Sequence, residues 1–143
     1  MDTREPVEIF LIEDNPGDVR LTREAFKEGR IQNTLTVVGV GVAAMEALHD
    51  RVAQGRARPG LILLDLNLPR KDGRQVLAEI KADPALRLIP VIVLTSSAAE
   101  RDVVESYERN VNAYVTKPID IDEFLGAIRA LEGFWLSVVR LPG

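Results

Sequence analysis

Three features are missing from the sequence: cysteine, long apolar runs and clusters of basic residues. Without cysteine the chain has no disulfide, no thiolate metal ligand and no cysteine nucleophile, which is compatible with a reducing compartment. Its apolar runs, such as Leu61–Leu64, are far shorter than the ~20 residues of a membrane span. Residues 1–6 are too polar for a signal peptide. We therefore expect a cytoplasmic protein with no membrane segment.

Acidic residues outnumber basic ones, with 22 Asp and Glu against 18 Lys and Arg, and the formal net charge is −4. Proteins that bind nucleic acid gain much of their affinity from basic patches that contact phosphates. Because the chain has no basic run, we predict no nucleic-acid partner. Its 143 residues are the usual length of one domain with a single core.

Short β-branched or aliphatic runs alternate with longer segments of helical period, a pattern typical of a parallel sheet with helices on both faces. The predicted strands are Val7–Ile12, Leu35–Val38, Leu61–Leu64, Val91–Leu94 and Ala113–Val115. The predicted helices are Pro16–Glu28, Val42–Gln54, Arg74–Ala82, Ala99–Arg109 and a last helix from Ile121. Short right-handed crossovers predict a doubly wound α/β fold, flavodoxin-like, with strand order 2-1-3-4-5. Its second strand mixes threonine with apolar residues, which favours an edge position.

Polar residues stand where four of these strands end. Glu13 and Asp14 follow the first strand, Asp65 the third and Thr95 the fourth, while the fifth leads into Lys117. In an open α/β sheet the functional crevice lies beyond the carboxyl ends of the strands, where the strand order reverses. We therefore expect these five side chains to converge at one edge of the sheet.

The three acidic residues among them predict a metal site, since neighbouring carboxylates repel one another unless a cation lies between them. Oxygen ligands with room for water suit Mg²⁺. Lys117 adds a compact positive charge, and Thr95 offers a hydroxyl donor. Such groups neutralise the oxygens of a phosphoryl group, so Asp65 is the candidate nucleophile for phosphoryl transfer.

Four motifs carry a family resemblance. They are residues 13–16 (EDNP), 61–69 (LILLDLNLP), 90–96 (PVIVLTS) and 114–118 (YVTKP). In this order and at these spacings they closely resemble the receiver domains of two-component response regulators. The resemblance covers nearly the whole chain and implies a protein that accepts a phosphoryl group from a histidine kinase. It implies no other enzymatic activity than the protein's own phosphorylation and dephosphorylation.

The resemblance also implies a metal-binding role for several residues. Asp65 is the expected phosphoacceptor and a ligand of Mg²⁺. Glu13 and Asp14 are the acid pair that binds Mg²⁺ directly or through water, and the backbone carbonyl of Asn67 completes the protein ligands.

Three further residues are expected to act on the phosphoryl group or respond to it. By resemblance, Thr95 and Lys117 bind the phosphoryl oxygens, and Tyr114 is the aromatic residue whose rotamer reports the state of Thr95. A cis peptide bond before Pro118 is also implied, which directs the Lys117 ammonium toward Asp65.

A narrower resemblance concerns three other segments. Residues 71–81, 106–112 and 133–142 look like the small single-domain response regulators that partner bacterial phytochromes. This resemblance implies a light-sensing histidine kinase as the phosphodonor. Since no output domain is expected after the receiver, the signal is expected to pass through phosphorylation-dependent protein contacts.

Two alternatives use similar residues. Haloacid-dehalogenase-type phosphohydrolases also combine an aspartate nucleophile with Mg²⁺. Their nucleophile begins an Asp-x-Asp motif, whereas this chain has Asn67 in place of the second aspartate. A flavodoxin-like FMN-binding module needs phosphate donors in its first loop, where this chain has residues 13–16, which supply negative charge and a proline.

Two other titratable residues are assigned no functional role. Asp18 falls in the first turn of a predicted helix, where an acid stabilises the helix dipole, so we leave it out of the site. His49 falls in a helix far from the site edge and is expected to be exposed to solvent.

The C-terminus is more apolar than a receiver domain requires. We divide the chain into a receiver domain at residues 1–131 and an apolar extension at residues 132–143, which includes Phe134, Trp135 and Leu136. Burying such side chains contributes ~1.5–3 kcal/mol each, so full exposure on a monomer is unfavourable. The extension predicts a homodimer in which it acts as the dimerisation arm.

Overall fold

The computed structural model describes residues 7–68, 72–108 and 110–131. The strands are β1 (Val7–Ile12), β2 (Asn33–Val38), β3 (Leu61–Asp65), β4 (Val91–Thr95) and β5 (Ala113–Thr116). The helices are α1 (Pro16–Glu28), α2 (Gly41–Ala53), α3 (Gly73–Ala82), α4 (Ala98–Tyr107) and α5 (Ile121–Arg129). The predicted α/β alternation is confirmed. The predicted C-terminal extension at residues 132–143 lies outside the described residues.

The five strands form one parallel sheet in the order β2-β1-β3-β4-β5, as predicted, with β2 at an edge. Every residue of β3 and β4 is buried, because helices cover both faces of the sheet centre. Residues of α1 and α5 pack against one face, and residues of α2, α3 and α4 pack against the other. The two apolar clusters hold the sheet rigid beneath its carboxyl edge.

Two element boundaries differ from the prediction by two residues, and several others differ by one. Strand β2 begins two residues early, at Asn33, because Asn33 pairs with Val7 and the parallel register extends along the whole of β1. Helix α4 ends at Tyr107 instead of Arg109, because Glu108 has extended backbone angles of φ −128° and ψ 103°. Neither difference moves a predicted site residue out of place.

Side-chain caps fix the start of four helices near the carboxyl edge. Asn15 accepts a hydrogen bond from the backbone amide of Asp18 at 3.0 Å, with Pro16 as the first residue of α1. Asp72, Ser97 and Asp120 likewise accept hydrogen bonds from backbone amides at the starts of α3, α4 and α5. Each cap satisfies a helix amide that has no partner within its helix and fixes the direction in which the helix leaves the edge.

Close packing at the end of β3 requires a glycine. A Cβ atom on Gly73, the first residue of α3, would lie 2.3 Å from the backbone carbonyl oxygen of Asp65 and 2.5 Å from the Cα of Leu66. Only glycine lets the start of α3 approach the strand end this closely. The peptide bond between Lys117 and Pro118 is cis, as the family resemblance implies.

None of the helices in the described part of the chain is both long enough and apolar enough to span a membrane. His49 is exposed, as expected, and lies 3.5 Å from Asp83.

Candidate functional site

The sheet brings the predicted strand-end residues together at its carboxyl edge. Asp65 and Thr95 are the last residues of β3 and β4, and Glu13 follows β1 directly. All three residues are buried, with exposed fractions of 1% or less. Burying carboxylates is unfavourable unless a partner stabilises them, so the burial of Glu13 and Asp65 lowers the stability of the fold unless another group compensates.

Lys117 supplies a positive charge to the buried carboxylates. Its ammonium Nζ lies 2.7 Å from Glu13 Oε1, 3.1 Å from Asp65 Oδ2 and 3.0 Å from Asp18 Oδ2. Burial alone would lower the pKa of Lys117, but hydrogen bonds to Glu13 and Asp18 and the charge of Asp65 raise it overall. The side chain is therefore a permanent cation at the nucleophile predicted from the sequence.

Asp18 belongs to this cluster, which corrects its assignment from the sequence. The predicted position is confirmed, since Asp18 lies in the first turn of α1, where an acid stabilises the helix dipole. However, its carboxylate also contacts Lys117, because the first turn of α1 points toward the end of β5. Its position three residues after the Asn15 cap was visible in the sequence, but the direction of the helix was not.

Glu13 has a strongly altered acidity. Burial is the main cause that raises its pKa to about 7, assisted by a hydrogen bond with Asp65 and opposed by Lys117. Its second oxygen, Oε2, accepts hydrogen bonds from the backbone amides of Asp14 at 3.1 Å and Asn15 at 3.2 Å. Glu13 is thus oriented on both sides, with one oxygen toward the loop and the other toward Lys117.

The acidic residues fit a divalent cation. Oxygen atoms of Glu13, Asp14 and Asp65 all lie within 4.8 Å of one another. Asp14 is exposed, so a cation held there keeps water ligands on the solvent side, as Mg²⁺ prefers. Asn67 is adjacent, and its backbone amide donates to Asp65 Oδ1 at 2.9 Å. The donor set is one of hard oxygens, with excess negative charge for a cation to neutralise.

Thr95 makes a contact that the sequence does not indicate. Its hydroxyl Oγ1 donates to Glu100 Oε1 at 2.6 Å, and the carbonyl oxygen of Ser97 lies 3.1 Å away. Glu100 lies in the first turn of α4, three residues after the Ser97 cap. That spacing repeats the Asn15 and Asp18 arrangement, and it is the signal by which Glu100 could have been found.

Tyr114 lies on β5, away from the carboxylates and against α4. The Arg101 guanidinium lies 5.0 Å from the centre of its ring. Burial, followed by the charge of Glu105, raises the pKa of Tyr114 to about 12, and Arg101 opposes the shift. Its buried hydroxyl makes no hydrogen bond with the described residues. The predicted coupling between Tyr114 and Thr95 remains a prediction.

Comparison with known proteins identifies the family. The sequence-family model of the response regulator receiver domain matches residues 9–129. The chain belongs to this family. It is a phosphoacceptor of two-component signalling, which implies a histidine kinase as its partner, and the phosphohydrolase alternative is not favoured.

Several relatives cover most of the chain. The response regulator Rcp1 of Synechocystis sp. PCC 6803 is 47% identical over 138 residues, which are 96% of this chain and 94% of Rcp1. A crystal structure of its Mn²⁺-bound form, with a TM-score of 0.71 and 46% identity, covers 96% of this chain and 100% of that chain. Metal binding is thus known for a relative, and the acidic cluster is present here.

Two further solved structures extend the comparison. The bacteriophytochrome response regulator RtBRR has a TM-score of 0.85 and 41% identity, over 96% of this chain and 84% of its own. The phosphorylated cyanobacterial phytochrome response regulator RcpA has a TM-score of 0.73 and 45% identity, over 96% and 99%. The similarity therefore covers most of the length of both relatives. The receiver fold predicted from the sequence is confirmed.

Proposed function

We propose that Asp65 is the residue that accepts the phosphoryl group. Its Oδ2 atom is buried at the end of β3, 3.1 Å from the Lys117 ammonium and beside the acid pair of Glu13 and Asp14. This juxtaposition of a nucleophile, a fixed cation and a cluster of oxygen ligands is the observation that carries the proposal.

In the proposed reaction an oxygen of Asp65 forms a bond to phosphorus while the bond from phosphorus to the donor's histidine nitrogen breaks. The electron pair of that bond stays on the histidine ring. Lys117 and the Thr95 hydroxyl bind the phosphoryl oxygens, where negative charge is concentrated. Their positions at the ends of β5 and β4 fix them before the donor arrives, which lowers the cost of orientation.

The proposed cofactor is Mg²⁺. Glu13, Asp14 and Asp65, together with the backbone carbonyl of Asn67, would hold it, and when bound it supplies positive charge to the phosphoryl oxygens. Support comes from the hard oxygen donors and from the mutual distances of the three carboxylates.

The proposed phosphodonor is a phytochrome-type histidine kinase. Two observations support it: the three sequence segments that resemble phytochrome-linked regulators, and the names of the relatives RtBRR and RcpA. The phosphohydrolase alternative requires a second carboxylic acid as general acid, and this chain has Asn67 at that position. The side-chain amide of Asn67 donates to Ser96 Oγ at 3.0 Å.

We further propose that the protein forms a homodimer through residues 132–143 and binds no nucleic acid. Support comes from the apolar composition of that segment and from exposed apolar side chains on α4, where Val103 is 47% and Tyr107 52% exposed. Truncation after Leu131 should convert a dimer to a monomer in sedimentation at micromolar concentration. A full-length monomer would contradict the dimer, and a truncated dimer would contradict the role of the arm.

The phosphoacceptor is tested by incubation with acetyl phosphate and Mg²⁺, followed by intact mass. The wild-type protein should gain one phosphoryl group, and Asp65→Asn should gain none. Asp102→Asn is the matched control, because Asp102 is an exposed aspartate on α4 that does not belong to the cluster. Equal phosphorylation of Asp65→Asn and the wild type would refute the proposal.

A further inference from the structure

The Thr95 hydroxyl can donate to only one strong acceptor at a time. It carries a single proton, and both the Glu100 carboxylate and the Ser97 carbonyl are within its reach. The contact with Glu100 is the shorter, at 2.6 Å, and a carboxylate is the stronger acceptor. In this structure the proton of Thr95 is therefore committed to Glu100.

Glu100 is held in place from several sides. Its backbone amide donates to the Ser97 side chain at 3.1 Å, which fixes the first turn of α4 over the end of β4. Its carboxylate is half-buried and lies 3.5 Å from the side-chain amide of Asn67. An acid in a first helical turn also stabilises the helix dipole, but that role requires no contact with Thr95.

We propose that Glu100 competes with the incoming phosphoryl group for the Thr95 hydroxyl and thereby sets how readily Asp65 is phosphorylated. The inference rests on the proposed function of Asp65. Phosphoryl oxygens only accept hydrogen bonds, so Thr95 must leave Glu100 before it can bind one. The carboxylate is a second negative group on the same donor, and the competition therefore opposes phosphorylation. Glu100 acts through Thr95 and is a positioning residue.

The competition also reaches α4. Residue 101, next in sequence, is the arginine that lies over the Tyr114 ring, so the same helical turn contacts both Thr95 and Tyr114. When a phosphoryl oxygen accepts the hydrogen bond of the Thr95 hydroxyl, the hydrogen bond from Thr95 to Glu100, which joins β4 to the first turn of α4, is lost. The helix face beside Tyr114 then becomes free to change its position.

The test compares the rate of phosphorylation by acetyl phosphate in four proteins. These are the wild type, Glu100→Ala, Thr95→Val and the double variant, each followed by intact mass in the presence of Mg²⁺. We expect Glu100→Ala to raise the rate about 3- to 10-fold, which corresponds to one hydrogen bond. In the Thr95→Val background Glu100→Ala should have no effect, since no hydroxyl proton remains to compete for.

Two variants serve as controls. Glu105→Gln changes the net charge of α4 at a residue that pairs with Arg101, and it should leave the rate unchanged. Glu100→Gln keeps an oxygen acceptor and should show a smaller increase than Glu100→Ala, and it provides the comparison should the alanine variant not fold. An independent readout is the methyl NMR signal of Thr95 in the unphosphorylated, metal-free protein, which should shift in both Glu100 variants and not in Glu105→Gln.

Three outcomes would overturn the inference: no rate increase in either Glu100 variant, an equal increase in the presence and absence of the Thr95 hydroxyl, or an equal increase in Glu105→Gln. The second outcome would assign Glu100 a general electrostatic effect. Failure of the proposed function is distinguishable, because the wild type would then gain no phosphoryl group or Asp65→Asn would gain one equally.

Discussion

Two clusters of partly or fully buried charge lie at opposite ends of β1. At the start of the strand, both oxygens of Glu8 accept hydrogen bonds from the Arg51 guanidinium, and Thr36 donates to one of them at 3.0 Å. At the end of the strand, Glu13 belongs to the cluster around Lys117. The first cluster pairs one negative with one positive charge, whereas the second places three carboxylates around one ammonium group, with the Asp14 carboxylate beside them.

We interpret the first cluster as serving stability and the second as serving the proposed reaction. Arg51 also lies 5.4 Å from the centre of the Phe10 ring, so its charge, planar face and hydrogen bonds are all used within the fold. The cluster at Lys117 keeps excess negative charge that a cation and an electrophile can neutralise. Charge imbalance in a buried site is costly, and it is retained here where the proposed reaction needs it.

The largest effect is expected from Lys117→Met, which removes the ammonium group and keeps an unbranched stem. The phosphorylation rate with acetyl phosphate should fall about 10²- to 10³-fold, as is typical when one preorganised donor at a reacting centre is lost. Binding of Mg²⁺, measured by calorimetry, should persist, since no proposed ligand is removed. A rate within a few-fold of the wild type would contradict the role given to Lys117.

Arg51→Met is the corresponding change at the other cluster. It leaves Glu8 without its ion-pair partner, and Glu8 is only 27% exposed at its side chain. We expect a loss of about 2–4 kcal/mol in the free energy of unfolding, measured with urea, because a largely buried carboxylate remains unpaired. The phosphorylation rate of the folded protein should not change. A large rate effect would show that the two clusters are coupled through β1.

Asp14→Ala removes one carboxylate from the unbalanced cluster and leaves the nucleophile in place. Affinity for Mg²⁺ should fall about 10- to 100-fold. Loss of a residue that hydrogen-bonds to a metal ligand has an effect of this size, and loss of a ligand itself should weaken binding at least as much. Phosphorylation should fall in parallel at low Mg²⁺ concentration and recover at high concentration. Unchanged affinity would remove Asp14 from the proposed metal ligands.

The smallest effect is expected from Thr36→Val in the balanced cluster. It removes the hydroxyl that donates to Glu8 but keeps the β-branched shape that suits β2. Stability should fall by about 0.5–1.5 kcal/mol, the usual net contribution of one hydrogen bond, with phosphorylation unaffected. A loss as large as that of Arg51→Met would mean that the hydroxyl, and not the ion pair, organises this cluster.

The sequence predicts which residues at the strand ends reach the site better than it predicts which residues of the helices do. Buried strands appear as continuous apolar runs, so the residues that follow them, such as Glu13 and Asp65, can be placed at one edge without a structure. Asp18 and Glu100 reach the site from the first turns of α1 and α4. Their contacts depend on the angle at which each helix leaves the sheet, and the spacing of residues does not determine that angle.

The most direct test of the account is to locate the phosphorylated residue chemically. An acyl phosphate formed with acetyl phosphate and Mg²⁺ can be reduced with borohydride, which converts the modified aspartate to homoserine, and the site is then read by peptide mass mapping. Homoserine should be found at Asp65, with none at Asp14 or Asp18. Homoserine at either of those residues, with Asp65 unmodified, would contradict the assignment of the nucleophile.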